Sequence, residues 1–299
     1  MISVIICTRN RPIQVNLCLK SILNSKYYNY ELVVVDQSEN LITKNSLKKI
    51  RNNKIKYFHQ DSKGLTKARN LGIKKANGSL LVFTDDDCIV SRNWLTKIYK
   101  IFQYKHIEIV FGQTLPYKPF LHKNQYCPAI TIIQKRQVLK NNQLPISGYI
   151  KGNNMIYRKK VFNKIGFFKE WLGPGSESIN GGEETDMVYR SLISKINIFL
   201  EPSIIIYHNR WLTAKENDLL IINKHIGNIA IYIFYFIKYR RFEMLNYFCK
   251  IIFFYKNRFE VNFLNQKHYS IKDNFYLGIK SVFNLLKGIL IGFKYSIID

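Results

Sequence analysis

The sequence predicts an α/β fold: a mostly parallel sheet with helices on both faces, followed by a C-terminal helical extension. Short apolar runs alternate with stretches of helical periodicity, which is typical of parallel strands joined by helices. From residue 212 onward the apolar pattern is helical only. Of the 299 residues, 47% are hydrophobic, which is enough for a packed core and excludes a disordered chain.

The strands are predicted from apolar runs that stop at polar residues. Ile2–Cys7 is a continuous apolar run of the kind found in a strand buried on both faces. Ile196–Tyr207 is predicted to form a strand pair or a hairpin. The remaining predicted strands are Glu31–Val35, Ile55–His59, Leu80–Thr84, Ile109–Gly112 and Lys151–Tyr157.

The helices are predicted from apolar residues at three- and four-residue spacing. Pro12 stands where a first helical turn tolerates proline, and the stripe that follows predicts a helix to Ser25. Further helices are predicted over Leu65–Ala76, Asn93–Phe102 and Glu183–Ile193. Residues 113–150 contain four prolines and are predicted to be an irregular lid or acceptor loop.

The C-terminal region, residues 211–299, is predicted to be amphipathic and helical. Its apolar segments are rich in aromatic residues and interrupted by Lys or Arg, which suits helices on a membrane surface as well as ordinary packing. They are Ile226–Ile237, Phe242–Tyr255 and Val282–Ile298. No run reaches the roughly 18 apolar residues that span a bilayer, and the N-terminus does not resemble a signal peptide. We expect a cytoplasmic protein at the inner face of the membrane.

The charge balance is strongly basic, with 46 Lys and Arg against 20 Asp and Glu. A net charge of +26 attracts nucleic acid, anionic lipid or phosphorylated substrates, although a general bias toward Lys, Asn, Ile and Tyr also explains it. Five scattered cysteines without a CxxC pair argue against a disulfide framework and favour a reducing compartment.

Six of the 20 acidic residues fall into two clusters. Asp85, Asp86 and Asp87 follow a predicted strand, and alternate carboxylates there can ligate Mg²⁺ or Mn²⁺ that bridges a diphosphate. Thr8–Asn10 and Asp36 also follow predicted strands, so we expect all three groups at one edge of the sheet.

The second cluster opens a predicted helix after two glycines. Glu183 and Glu184 are suited to act as a general base. The alternative is structural: acidic residues at a helix N-terminus are stabilised by the helix dipole without any catalytic role. His208 follows an apolar run and becomes a candidate metal ligand if its strand lies near Asp87. No GxGxxG, GxxxxGK[ST], GxSxG or HExxH motif is present, so a dehydrogenase, P-loop enzyme, serine hydrolase or zincin is not indicated.

Six segments in order resemble the family-two glycosyltransferases. They are VIICTRNRP, VVVDQSEN, GLTKARNLGI, VFTDDDC, KGNNMIYRK and GGEETDMVYR, and they cover residues 1–210. The resemblance implies the GT-A fold, a Rossmann-like domain with a nucleotide-binding half at 1–112 and an acceptor half at 113–210. It also implies transfer from a nucleotide-diphosphate sugar, with inversion, and a divalent cation, Mg²⁺ or Mn²⁺. The acceptor would be a hydroxyl of a glycan or lipid-linked glycan, as in capsule or lipopolysaccharide synthesis.

The resemblance also assigns roles to individual residues. The residues that it implies contact the nucleotide-sugar donor are Thr8, Arg9, Asp36, Arg69, Asp85, Asp86, Asn153 and Asn154. Metal ligation falls to Asp87, with Asp85 and His208 as further ligands, and Glu184 or its neighbour Glu183 acts as the base. Two alternative functions are a sugar nucleotidyltransferase and a non-catalytic nucleic-acid-binding protein. For the glycosyltransferase itself, no nucleic acid partner is expected.

Overall fold

A computed structural model describes residues 1–140, 150–250 and 271–298 and divides the chain into two compact units. The first, here called the sheet unit, takes in residues 1–123, 127–168 and 187–211. The second, the helical unit, takes in residues 124–126, 169–186 and 212–299.

The described part of the sheet unit contains one sheet of nine strands. They are β1 Ile2–Thr8, β2 Tyr30–Asp36, β3 Ile55–His59, β4 Leu80–Asp85, β5 Cys88–Val90, β6 Ile109–Pro116, β7 Gln137–Leu139, β8 Met155–Arg158 and β9 Ile198–His208. Their order is β3-β2-β1-β4-β8-β6-β9-β5, with β7 paired to β9. The first four strands are parallel, β8 is antiparallel to both neighbours, and β6 is parallel to β9. The carboxyl ends of β1, β2, β4 and β9 therefore lie at one edge.

The described residues form a short 3-10 turn at Pro119–Leu121 and the α-helices named next, and residues 243–250 are also helical. The helices are α1 Pro12–Leu23, α2 Ile42–Lys48, α3 Leu65–Lys75, α4 Trp94–Ile101, α5 Val161–Ile165, α6 Glu183–Ile193, α7 Ala214–Tyr239 and α8 Ile271–Ile298. A capping box formed by Thr213 and Glu216 starts α7. This helix is long and apolar enough to cross a membrane by length and composition, but 61% of its apolar window is buried within the protein.

The fold class is confirmed, and the long predicted elements agree with the structure to within a few residues at their ends. The prediction for Ile196–Tyr207 was wrong: β9 is one strand of 11 residues, because its parallel pairing with β6 resumes after a register shift beyond Gly112. Four short elements were missed: α2, α5, β5 and β7. Part of the predicted loop at 113–150 and of Phe242–Tyr255 lies outside the described residues.

At the edge of the sheet opposite these carboxyl ends, the buried carboxylate of Glu31 links β2 to β1, to β3 and to the residue before β4. Glu31 of β2 accepts hydrogen bonds from Ser3 Oγ of β1 and from the Asn77 amide before β4, both at 2.6 Å. The Lys56 ammonium of β3 lies 2.6 Å from its other oxygen. Burial alone would raise the pKa of Glu31, but the hydrogen bonds from Lys56, Ser3 and Asn77 outweigh it and lower the pKa.

Replacing Glu31 tests this junction of strands. A carboxyl group with a lowered pKa in the folded state stabilises the fold above its unfolded pKa, and that stabilisation is lost as pH falls through the folded pKa. We expect Glu31→Gln to reduce the free energy of unfolding at neutral pH by about 1–3 kcal/mol. The difference from the wild type should shrink below about pH 4, measured by denaturant unfolding across pH.

Glu108→Gln is the matched control, because Glu108 makes a partly exposed ion pair with Lys160 at 2.7 Å. Its effect should stay under about 1 kcal/mol. Equal losses in the two variants would contradict a special role for Glu31.

Candidate active site

The predicted groups meet at the carboxyl edge of the sheet. The register of the parallel strands pairs Thr8 with Asp36 and Cys7 with Asp85. β4 ends at Asp85, and β9 ends at His208, which pairs with Cys88 of β5. The three aspartates, the first loop and the histidine thus come together because their strands end side by side.

Asp86 and Asp87 are both buried, and the guanidinium of Arg11 contacts both carboxylates. Thr8 Oγ1 donates to Asp86 at 2.7 Å. Arg11 Nη1 donates to Asp86 Oδ1 and to Asp87 Oδ2, each at 3.1 Å. Sequence reasoning did not single out Arg11; its only signal was a second arginine in the polar loop after β1. The guanidinium offsets the repulsion between two adjacent buried carboxylates.

The surroundings shift the pKa values of Asp86 and Asp87 in opposite directions. Burial and the neighbouring Asp87 carboxylate raise the pKa of Asp86 to about 7. Burial would also raise the pKa of Asp87, but the hydrogen bond and charge of His208 lower it. Burial opposes protonation of His208, yet the contact with Asp87 raises the pKa of this imidazole to about 10. The cluster thus favours a charged His208–Asp87 pair.

His208 has one ring nitrogen fixed by the backbone and the other directed at Asp87. Nδ1 lies 2.7 Å from the Pro128 carbonyl oxygen, which can only accept, so Nδ1 carries a proton. Nε2 lies 3.1 Å from Asp87 Oδ1. This backbone hydrogen bond is the type that orients metal-binding histidines.

Once Nε2 of His208 has lost its proton, this nitrogen and the Asp87 carboxylate form a ligand pair that fits a divalent cation, which would take the place of the shared proton. Two adjacent ligands at about 2.1 Å from one ion lie about 3 Å apart, close to the observed separation. Cys88 Sγ belongs to the same group, whose ligand atoms all lie within 4.8 Å of one another. Mg²⁺ and Mn²⁺ prefer oxygen and imidazole ligands to a thiol, so Cys88 is the least suited of the three.

Arg69 and Asp85 form a second pair beside this cluster. Arg69 is buried, and its Nη2 donates to the Gly152 carbonyl at 3.2 Å and lies 3.5 Å from Asp85 Oδ1. Its guanidinium lies over the Phe168 ring, 5.5 Å from the ring centre. The Asp85 side chain is 35% exposed and so is more accessible to a ligand than Asp86 or Asp87.

Asp36 and Arg9 make contacts along the loop after β2. Asp36 is fully buried and accepts from the Ser38 amide at 2.9 Å and from the Tyr57 hydroxyl at 2.9 Å. Arg9 pairs with Glu39 at 2.7 Å in a partly exposed position. Asp36 therefore shapes this loop, and its contact with a nucleotide base stays a prediction.

The two asparagines before β8 are buried and bonded within the fold. Asn154 donates to the carbonyls of Gln113 and Ile204 and accepts from Trp94 Nε1. Asn153 accepts from Thr114 Oγ1 at 3.0 Å. These bonds give Asn154 a structural role across the register shift of β6 and β9; a sugar contact by either residue stays a prediction.

The predicted glutamates belong to the helical unit. Gly181 and Gly182 have φ of +98° and +88°, and α6 begins directly after them. Glu183 is buried, whereas Glu184 is partly exposed. Two hydrogen bonds hold the same turn to α7, from Thr185 to Asn228 and from the Tyr235 hydroxyl to Asp186, both at 2.7 Å. That the glutamates meet the aspartates stays a prediction.

Comparisons with known proteins identify the class. The model described as Glycosyl transferase family 2 matches residues 3–166. Glycosyltransferase GlyG of Streptococcus pneumoniae is 25% identical over 70% of this chain and 71% of its own length. UDP-Glc:alpha-D-GlcNAc-diphosphoundecaprenol beta-1,3-glucosyltransferase WfgD of Escherichia coli is 26% identical over 38% of this chain and 45% of its own length.

Solved structures share the fold at low identity. S. aureus TarS 1–349 in complex with UDP-GlcNAc has a TM-score of 0.55 and 17% identity, covering 76% of this chain and 66% of that one. Mannosyltransferase PcManGT from Pyrobaculum calidifontis, in complex with GDP-Man and Mn²⁺, has a TM-score of 0.56 and 14% identity, covering 97% and 73%. The chain belongs to glycosyltransferase family 2, and it is a glycosyltransferase with a GT-A fold.

The start of α6 depends on a close approach of two backbones. A Cβ at Gly227 of α7 would lie 2.2 Å from the Gly181 carbonyl carbon, and one at Gly182 would lie 2.7 Å from the Gly227 oxygen. We expect Gly227→Ala to reduce stability by about 1–3 kcal/mol, because backbone must move to admit the methyl group. Thermal denaturation measures the change.

Asn223→Ala, one turn earlier on α7, is the control. Alanine favours a helix more than asparagine does, so this variant should be neutral or slightly stabilised. A Gly227→Ala protein with unchanged melting temperature would show that this contact is not needed.

Proposed function

We propose that the protein transfers a sugar, with inversion, from a nucleotide-diphosphate sugar to a hydroxyl of a glycan or lipid-linked glycan acceptor in surface glycan synthesis. The observation that carries this proposal is the cluster of Asp86, Asp87, Arg11 and His208 at the carboxyl edge of a family-2 fold. Family membership favours sugar transfer over nucleic acid binding and over nucleotidyl transfer.

The donor diphosphate needs positive charge, which this edge of the sheet can supply. Asp87 and His208, with Asp85 as the third predicted ligand, would hold Mg²⁺ or Mn²⁺. A bound cation would offset the negative charge of the diphosphate leaving group. Arg69 would contribute a fixed cation beside it, with Thr8, Arg9, Asp36 and Asp86 around the nucleotide. Structural relatives that hold Mn²⁺ with GDP-Man, or UDP-GlcNAc, support this arrangement.

Glu184 would act as the general base. A base must reach the acceptor hydroxyl, and Glu184 is partly exposed at the start of α6 whereas Glu183 is buried. Glu184 would remove the proton from the acceptor hydroxyl as its oxygen attacks the anomeric carbon and the bond to the diphosphate breaks. Glu183 and Asp186 would position that turn.

The acceptor and location are proposed from chemistry and from the relatives. The printed name of WfgD describes a diphosphoundecaprenol-linked acceptor, which supports a lipid-linked glycan here. Such an acceptor would bring the enzyme to the inner face of the cell membrane as a peripheral protein. The last described helix, Ile271–Ile298, carries exposed apolar residues and lysines suited to that surface.

A nucleotide-sugar panel with and without Mn²⁺ tests the donor site. The wild type should release a nucleoside diphosphate from one or a few donors only when a divalent cation is present. Asp87→Asn should lower that release at least about 100-fold, because a predicted ligand of the cation is lost. It should also lose the thermal shift produced by Mn²⁺ with nucleotide.

Asp61→Asn is the control, because Asp61 is an exposed carboxylate whose Oδ1 lies 3.1 Å from His59 Nε2. It should keep wild-type release. Metal-dependent turnover at the wild-type rate in Asp87→Asn would refute the assigned ligand, and no release from any donor would refute the proposed donor class.

Glu184→Gln tests the base. Loss of the proton acceptor should lower kcat about 10²–10⁴-fold while the KM for the donor stays unchanged. Steady-state kinetics with donor and acceptor give both values, and Glu177→Gln, an exposed position earlier in the same unit, should behave as wild type. If Glu183→Gln alone abolishes activity, Glu183 is the base instead.

A further inference from the structure

The last helix of the helical unit presents an apolar stripe to solvent. Its side chains lie at spacings of three and four residues and are between 52% and 69% exposed. They are Phe283, Leu286, Leu290, Phe293 and Ile297. Exposed apolar side chains in a continuous line on one helix face are typical of an interaction surface. Resting on the membrane location in the proposed function, we propose that this stripe, here called the α8 stripe, docks the protein onto an anionic lipid bilayer.

The opposite face of α8 is held firmly against α7. A Cβ at Gly288 would lie 2.8 Å from the Ile229 side chain, and one at Gly292 would lie 2.5 Å from the Ala230 carbonyl oxygen. The absence of side chains at these two glycines therefore allows the helices to approach closely. This packing fixes which face of α8 points outward.

A tyrosine near the end of α8 adds a second anchor within the helical unit. The ring of Tyr295 stacks on Trp171 at 4.3 Å between centres and 5° between planes. Its hydroxyl also forms a 2.6 Å hydrogen bond with Ser178 Oγ. The stripe thus lies on a helix that is already packed against α7, Trp171 and Ser178, and a surface ordered before binding lowers the entropic cost of binding.

The charge around the stripe identifies its partner. Lys287 and Lys294 each follow a stripe residue by four positions, Phe283 and Leu290, and so lie along one side of it. Residues 283–298 contain no Asp or Glu. Two copies packed through this face would bring like charges together, whereas anionic headgroups would attract the lysines. A bilayer surface also matches a net charge of +26.

Co-sedimentation of the full chain with lipid vesicles tests the proposal. We expect binding to phosphatidylcholine vesicles with about 30% phosphatidylglycerol and much weaker binding to phosphatidylcholine alone. Phe283→Ser combined with Phe293→Ser should lower the partition coefficient about tenfold or more, because two rings leave the interface. Lys287→Glu with Lys294→Glu should remove the preference for anionic lipid.

Tyr28→Ser with Tyr104→Ser is the matched control, since both rings are exposed and lie in the sheet unit. It should bind vesicles as the wild type does. Circular dichroism and melting temperature check the fold of each variant. Failure of the wild type to bind anionic vesicles, or equal binding by the Phe283/Phe293 variant, would overturn the proposal. So would a dimer in sedimentation that this variant dissociates.

Nucleoside diphosphate release from a soluble donor is measured on the same samples. It should be equal in the wild type and the Phe283/Phe293 variant, because neither ring belongs to the proposed catalytic site. Loss of vesicle binding with intact release separates this proposal from the proposed enzymatic function, and loss of both with an intact fold would contradict the stripe's separate role.

Discussion

Two adjacent carboxylates buried at the end of β4 are the constraint on which the site depends. Unit charges about 4 Å apart repel by about 4 kcal/mol at an effective dielectric constant near 20. Asp86 and Asp87 can remain together because Arg11 and His208 bring positive charge within hydrogen-bonding distance. The first loop and the end of β9 are therefore tied to β4 before any ligand arrives.

The sheet supplies the order that makes this possible. Parallel strands β1, β2 and β4 end at one edge, and β9 reaches the same edge because β8 reverses direction between β4 and β6. His208, more than 100 residues after Asp87 in the chain, thereby becomes its neighbour. The family-2 fold thus assembles a polar site from residues that are scattered in sequence.

Much of the sheet could be predicted because buried strands such as Ile2–Thr8 are uninterrupted apolar runs that end at polar residues. The three-residue strands β5 and β7 could not, because three residues show no period. The aspartate triplet could be predicted as a site because three of the few acidic residues are consecutive in the sequence. Arg11 and the internal bonding of Asn154 were not, because they depend on which atoms face each other after the strands pair. The meeting of Glu184 with this site stays a prediction.

The hydrogen bond between His208 and Pro128 carries a last consequence. Its acceptor is a main-chain oxygen, so any residue type at position 128 could serve provided the chain follows the same path. The backbone at position 128 thus helps to orient the imidazole, and the residue type at that position does not reveal this role. The side chain at position 128 can therefore change without loss of this hydrogen bond, whereas inserting or deleting a residue there would move the carbonyl oxygen that holds the ring.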